Sequence, residues 1–239
     1  MRIIQNARIR MRDGVRLAAD LFMPDGAGPF PVILEYLPYR KDDNTVPRLE
    51  IHHYFAEHGF VGARVDIRGT GNSEGVATDE YPLEEQLDAL VVIEWLASQP
   101  WSNGAVGMFG SSWGGFNALQ VAMHAPPQLK AIVAMYATDD RYNDDIHYLR
   151  GCVHAEDQAH YGFSMVSMNA LPPYPEIGDD WAEIWRERLE RGESWLIKWL
   201  EEQVDGPYWQ HGSLKADYGA IKCPTYLIGG WNDGYTNMC

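Results

Sequence analysis

Gly107-Met-Phe-Gly-Ser-Ser-Trp-Gly114 decides the reading of this chain. It contains G-x-S-x-G with Ser112 at the centre. The preceding run, Gly104-Ala-Val-Gly-Met-Phe-Gly110, reads as a short buried strand. From Trp113 onward, Phe116, Leu119, Gln120 and Met123 fall at helical spacing until Pro126-Pro127 ends the segment. Strand, tight glycine turn and helix in that order are the context of a nucleophile elbow, where the backbone bends sharply enough to expose a serine oxygen. The competing reading is a glycine-rich turn whose serines only cap the helix, and Ser111 is expected to be such a bystander.

Working outward, residues 3–11 and 15–23 alternate as strands, and Asp13-Gly14 between them signals a hairpin. Residues 31–36 and 60–66 read as further strands, with a short helix over 52–57. Leu83, Leu87, Leu90, Val91 and Trp95 form an apolar stripe that predicts an amphipathic helix over 83–98. A buried strand is expected at 130–135, and the sheet resumes at Pro224-Thr-Tyr-Leu-Ile-Gly229. Strands alternating with helices imply an α/β fold with a mostly parallel sheet covered on both faces.

That alternation breaks near residue 137. Residues 137–219 carry ten of the fifteen net negative charges and five of the nine tryptophans. Trp181, Ile184, Trp185 and Leu189 share one helical face, and Ser194 is placed to cap a second helix. The expected organisation is a hydrolase core over 1–136, an inserted acidic helical lid over 137–219, and a resumed but incomplete core over 220–239.

A net charge of −15 argues against a nucleic-acid partner, whose phosphates need Lys and Arg. Cys152, Cys223 and Cys239 form no C-x-x-C pair and read as buried or incidental thiols, which fits a reducing compartment. The first residues lack the apolar core of a signal peptide, and no run approaches the ~18 apolar residues of a membrane helix. The expectation is a soluble, cytoplasmic protein with a small-molecule or short-peptide substrate, no cofactor, and a possible homo-oligomeric state. Asp139-Asp140, Asp144-Asp145 and His52-His53 offer metal-ligand atoms without a third partner at ligand spacing, so they read as solvated faces.

A serine nucleophile needs a base, an acid to orient the base, and donors for the oxyanion. Along an α/β-hydrolase chain the acid follows the serine. Asp233, just after the resumed strand, is the expected acid, with Asn232 and Asp217 as weaker candidates and a turn-capping role as the alternative. The amide of Trp113 supplies one oxyanion donor. The second is expected from Leu37-Pro-Tyr-Arg-Lys41, where the Tyr39 phenol can donate. All eight histidines (52, 53, 58, 124, 147, 154, 160 and 211) precede Asp233. His52, His53 and His58 are expected to face solvent, His124 to end the elbow helix, and His147, His154 and His160 to lie in the lid, with His211 leading into the final strand. None is an evident general base.

Several segments together resemble one family, the cocaine-esterase-like and X-prolyl dipeptidyl-peptidase-like α/β-hydrolases, which include α-amino-acid ester hydrolases. They are Asp13-Gly-Val-Arg-Leu-Ala-Ala-Asp20, Leu37-Pro-Tyr-Arg-Lys41, Asp66-Ile-Arg-Gly-Thr-Gly-Asn-Ser-Glu-Gly75, Trp101 to Gly115, and Gly230-Trp-Asn-Asp233. The resemblance implies Ser112 as nucleophile, Asp233 as acid, and Tyr39 with the Trp113 amide as oxyanion donors. It implies that Asp66 and Arg68 stabilise loops. It also implies a triad histidine and a C-terminal β-sandwich beyond the acid, so this chain looks like the N-terminal hydrolase portion, ending before the last strands. The activities implied are ester or amide hydrolysis through an acyl-enzyme, removal of dipeptides ending in proline, or hydrolysis of α-amino esters with recognition of the substrate ammonium. A fragment that keeps the fold but only binds partners is the rival from another class.

Overall fold

A computed structural model describes residues 1–43, 45 and 49–235. Cys239 lies outside the described residues. The hairpin signal at Asp13-Gly14 joins β1 (Arg2–Arg10) to β2 (Arg16–Met23) in antiparallel pairing. Then come β3 (Phe30–Leu37), α1 (Leu49–Glu57), β4 (Val61–Asp66), α2 (Leu83–Ser98), β5 (Ser102–Ser111), α3 (Trp113–Met123) and β6 (Leu129–Met135). Residues 137–219 hold two short paired strands, β7 (Tyr148–Leu149) and β8 (Cys152–Val153). They also hold α4 (Ala155–Asn169), α5 (Trp181–Arg191), α6 (Trp195–Glu201) and α7 (Pro207–Gln210). β9 (Thr225–Ile228) returns to the main sheet.

The seven-stranded sheet runs in the order β1-β2-β4-β3-β5-β6-β9, parallel from β4 onward. The chain moves outward from β3 to β4 and then crosses back to β5 on the other side. The carboxyl ends of β3 and β5 therefore flank the point where strand order reverses, the usual crevice for a ligand in an open α/β sheet. Tyr39 follows β3 and Ser112 follows β5, so the topology brings them together. This is a mostly parallel α/β sheet flanked by helices.

The strands between the faces are nearly all apolar and buried. Val61, Ala63 and Val65 on β4 and Val106 and Met108 on β5 are at most 1% exposed, and each large side chain so removed from water contributes about 1.5–3 kcal/mol. The edge strands β1 and β9 are the exceptions: in β1 only Ile9 is buried. On β9, Tyr226 and Leu227 are exposed, because it is the last strand of the sheet among the described residues.

Four readings of side-chain environment change. Leu83 and Leu87, read as part of the apolar stripe of α2, are exposed, while Ala89, Val92, Ile93 and Leu96 face inward with Glu85, Gln86 and Asp88. The polar trio is buried because it binds neighbouring parts: Glu85 accepts the Trp113 indole N–H at 2.7 Å, and Asp88 pairs with Arg68 at 2.8 Å. His52 does not face solvent; it is fully buried, with Nε2 3.0 Å from the Glu35 carboxylate and its ring stacked on Phe22. Asp140, Asp144 and Asp145 are not a solvated face either, since each is at most 9% exposed and Asp140 and Asp145 pair with Lys215 and His147. Leu189 is exposed on α5, whose buried apolar residue is Ile184, and Trp181 and Trp185 stack on each other. Ser194 sits at the N-cap of α6 without a side-chain capping bond. Cys152 is exposed and Cys223 half-buried, so these thiols are incidental, not core. No described helix is long and apolar enough to cross a membrane.

Candidate active site

Ser112 ends β5 and starts α3 with φ 56° and ψ −125°, a backbone region that L-residues adopt only under constraint from their surroundings. The constraint is visible. The Ser112 N–H donates to the Met135 carbonyl at 2.9 Å, and its own carbonyl accepts from Gly115 and Phe116. A Cβ on Gly110 would sit 2.3 Å from the Gly114 carbonyl carbon, and one on Gly115 would sit 2.7 Å from the Met135 oxygen. Strand and helix are thus packed backbone to backbone around the turn, which only glycine permits. Trp113 is fully buried under this bend, its indole bonded to Glu85. Burial pushes the Glu85 carboxyl up to about 8, against hydrogen bonds from Trp113 and Asn117. Ser111 faces a different cavity, lined also by Glu35, Phe109 and Met135, in keeping with a bystander's place.

The Tyr39 hydroxyl donates to Ser112 Oγ at 3.2 Å and accepts the Trp113 amide N–H at 3.4 Å. Its loop is clamped by charge. Asp66, fully buried at the end of β4, accepts the Lys41 N–H at 2.8 Å and the Asn72 N–H at 2.9 Å. Burial raises the Asp66 carboxyl to about 6, with the Lys41 ammonium and those two amides opposing the rise. Arg64 donates to the Lys41 carbonyl, the Thr45 hydroxyl and Glu35. Burial would raise Glu35, but the bonds and charges of His52 and Arg64 outweigh it and bring it down to about 2. Gly71, at φ +49°, leaves Asp66 its space: a Cβ there would lie 2.1 Å from Oδ2. Arg68 holds Asp13 and Asp88 across the neighbouring loop. Asp66 and Arg68 thus stand among the loop anchors.

Asp233 is not brought to Ser112 by any described bond. It lies in the turn after β9, where its N–H donates to the Gly230 carbonyl and its Oδ1 accepts the Tyr235 N–H at 3.4 Å. Asn232 beside it is exposed, and Asp217 precedes a short 3-10 turn over Tyr218–Ala220. Tyr235, two residues on, is buried and packs edge-on against Phe116 of the elbow helix; nothing in the sequence singles it out.

None of the eight histidines hydrogen-bonds Ser112 among the described residues. His124 ends α3 and meets Gln86 at 3.0 Å, as a helix-terminal histidine, and His58 meets the Tyr54 carbonyl. His154 pairs with Asp157, and His211 Nε2 donates to the Tyr81 carbonyl. His147 is fully buried between Glu80 (3.1 Å) and Asp145 (2.9 Å). Burial disfavours its charge, yet those two carboxylates raise it to about 9. A protonated imidazole has no free lone pair to take a serine proton. Among the described residues no group of three or more His, Cys, Asp or Glu side chains is placed to hold a metal ion.

A profile of the X-Pro dipeptidyl-peptidase (S15) family matches residues 13–239. The chain belongs to this family. Cocaine esterase from Rhodococcus sp. is 31% identical, aligned over 98% of this chain and 44% of its own length. A CocE/NonD family hydrolase from Staphylococcus aureus superposes with a TM-score of 0.74 at 23% identity, covering 93% of this chain and 39% of that one. An alpha-amino acid ester hydrolase gives 0.70 at 24% identity, covering 97% and 44%. The chain thus spans less than half the length of these relatives, and the structural likenesses establish the α/β-hydrolase fold of the S15 chain.

Proposed function

We propose that this S15-family protein is a serine hydrolase that cleaves carboxylic esters or amides through an acyl-enzyme on Ser112. The observation that carries the reading is the convergence of the Tyr39 phenol, 3.2 Å from Ser112 Oγ, with the Trp113 amide on a strained elbow. Two donors fixed beside a nucleophile suit the charge that develops on a carbonyl oxygen during attack.

In this reading Ser112 Oγ attacks the carbonyl while a histidine takes its proton. The base lies outside the eight histidines of this chain, and Asp233 orients it. Tyr39 and the Trp113 amide hold the tetrahedral oxyanion. Collapse expels the alcohol or amine, and water then cleaves the acyl-enzyme with the same groups. Residues 137–219 act as the lid over the crevice. The similarity to a cocaine esterase and to an alpha-amino acid ester hydrolase supports an ester substrate. Ammonium recognition has less support, because the buried carboxylates Glu80 and Asp145 are already paired with Arg141 and His147.

Pre-steady-state release of the alcohol from an activated aryl ester, measured on the full-length protein, tests this. A burst equal to the protein concentration, absent in Ser112→Ala, is expected. Turnover that survives Ser112→Ala would refute it.

A further inference from the structure

The two residues that follow Tyr39 are held from opposite directions. Lys41 is tied to the core through Asp66, whereas Arg40 reaches into the segment 137–219. Arg40 is 4% exposed. Its Nη2 donates to the Pro172 carbonyl at 3.0 Å, and Nη1 lies 3.5 Å from the Leu171 carbonyl, contacts that cross 132 and 131 residues of sequence. Nε donates to the Asp43 carboxylate at 2.6 Å, and the guanidinium carbon stands 5.9 Å from the centre of the Tyr174 ring. These carbonyls need a partner for a reason written in the sequence. α4 ends at Asn169, and Pro172-Pro173 behind it can neither continue the helix nor donate an N–H. Carbonyls at a helix end have no intrahelical donor. That of Ala170 accepts the Trp185 indole N–H at 2.8 Å, and the next two fall to Arg40. A cation there also faces the negative end of the helix. Arg40 thus caps α4 from the core side.

The backbone of the same residue is fixed as well. Its φ of 59° is left-handed, a conformation that a residue with a side chain keeps only where its surroundings impose it. The Arg40 carbonyl accepts the Thr45 hydroxyl at 3.1 Å, and that hydroxyl accepts from Arg64 Nη2 at 2.6 Å. Other arginines also staple the segment to the core. Arg16 pairs with Asp180, and Arg188 donates to the carbonyls of Gly71 and Ser73. Those ties meet β2 and the loop after β4. Arg40 makes its tie one peptide bond from Tyr39. We propose that Arg40 is a positioning residue for the Tyr39 phenol, locking it to the end of α4, an inference that rests on Tyr39 being an oxyanion donor. Turning the peptide between Tyr39 and Arg40 would break the guanidinium contacts and the Thr45 bond together. The Tyr39 hydroxyl therefore keeps its 3.2 Å approach to Ser112 Oγ while the end of α4 is in place. Displacement of that helix end loosens the donor, so the lid and the oxyanion site share one geometry.

An interaction that acts through an oxyanion donor is expressed in the transition state and lowers kcat, whereas loss of substrate contact raises KM. Its effect also vanishes once the donor is gone. The test is a double-mutant cycle on the full-length protein with an ester substrate, using Arg40→Gln, Tyr39→Phe and the pair. Arg40→Gln is expected to lower kcat about 10-fold with KM within about twofold, and to have no further effect in the Tyr39→Phe background. Arg40→Lys keeps the charge without the planar fork and is expected to give a smaller loss of the same kind; it carries the test if Arg40→Gln does not fold. Asp180→Ala cuts the exposed tie to Arg16, far along the chain from Tyr39, and is expected to leave kcat unchanged. Equal factors in both Tyr39 backgrounds, a rise in KM in place of the fall in kcat, or a lower melting temperature with kcat intact would overturn the positioning role. So would an Asp180→Ala loss as large as that of Arg40→Gln. Loss of turnover in Ser112→Ala is the separate control for the serine-hydrolase reading: its failure would remove the premise, while its success with additive factors would defeat this inference alone.

Discussion

The loop after β3, which carries Tyr39, and the loop after β9, which carries Asp233, leave the same edge of the sheet with very different anchorage. The first is tied by Asp66, Arg64 and Lys41, all fully buried, through bonds that cross 19 to 29 residues of sequence. The second is tied by its own turn, with Trp231 94% exposed and Asp233 hydrogen-bonded to Gly230 and Tyr235, both within three positions of it. A donor that must meet a developing charge needs its position fixed before the reaction, and buried ion pairs provide that. The loop that carries Asp233 is organised locally.

The comparison breaks most sharply at Asp233. Asp233→Ala is expected to lower kcat by about 10⁴-fold while shifting unfolding free energy by no more than about 0.5 kcal/mol. A large loss of stability in a denaturant titration would show that the loop is anchored more firmly than its bonds suggest. Asp66→Ala should behave the opposite way. It orphans two buried N–H groups and removes a countercharge from Lys41, so about 3–5 kcal/mol of stability is expected to go, measured by the midpoint of urea unfolding. Tyr39→Phe keeps the loop and loses one donor. A kcat lower by about 10²–10³ with little change in KM is expected, and unchanged kcat would remove Tyr39 from the chemistry.

A smaller effect sharpens the picture beneath the elbow. Folded Glu85 keeps its proton to about pH 8, whereas an unperturbed carboxyl releases it near 4.5. The stability linked to this group is complete below about 4.5 and is lost as pH rises through about 8. Wild-type protein should therefore weaken across that window, by at most about 1.4 kcal/mol per pH unit from this group. Glu85→Gln keeps the neutral form, so its stability profile should be flatter. Parallel profiles would mean the slope comes from elsewhere.

Much of the scaffold was legible because its signals are local. Asp13-Gly14 marks the hairpin, Pro126-Pro127 ends α3, and the glycines around Ser112 mark a turn whose backbone contacts only they permit. Tyr39 was expected from the loop after the third strand, and the structure places its hydroxyl 3.2 Å from Ser112 Oγ. The partners that hold these residues were not. Glu35 with His52, and Glu80 with His147 and Arg141, are joined across 17 to 67 residues with no periodicity to betray them. The pair His52-His53 shows why: on an exposed helix both would be solvated, and the approach of Glu35 on β3 with the rings of Phe22, Phe55 and Phe109 buries His52. The stripe on α2 misled for a related reason, because Glu85 and Asp88 go inward to serve Trp113 and Arg68 while Leu83 and Leu87 stay outside.

The central claim is that Ser112 is the nucleophile of a hydrolytic site. Labelling the full-length protein with a fluorophosphonate and locating the adduct by mass spectrometry tests it most directly. Rapid, stoichiometric modification of Ser112 with loss of ester hydrolysis is the expected result. Hydrolysis that persists after complete reaction, or an adduct on Ser111 or another residue with Ser112 untouched, would contradict it.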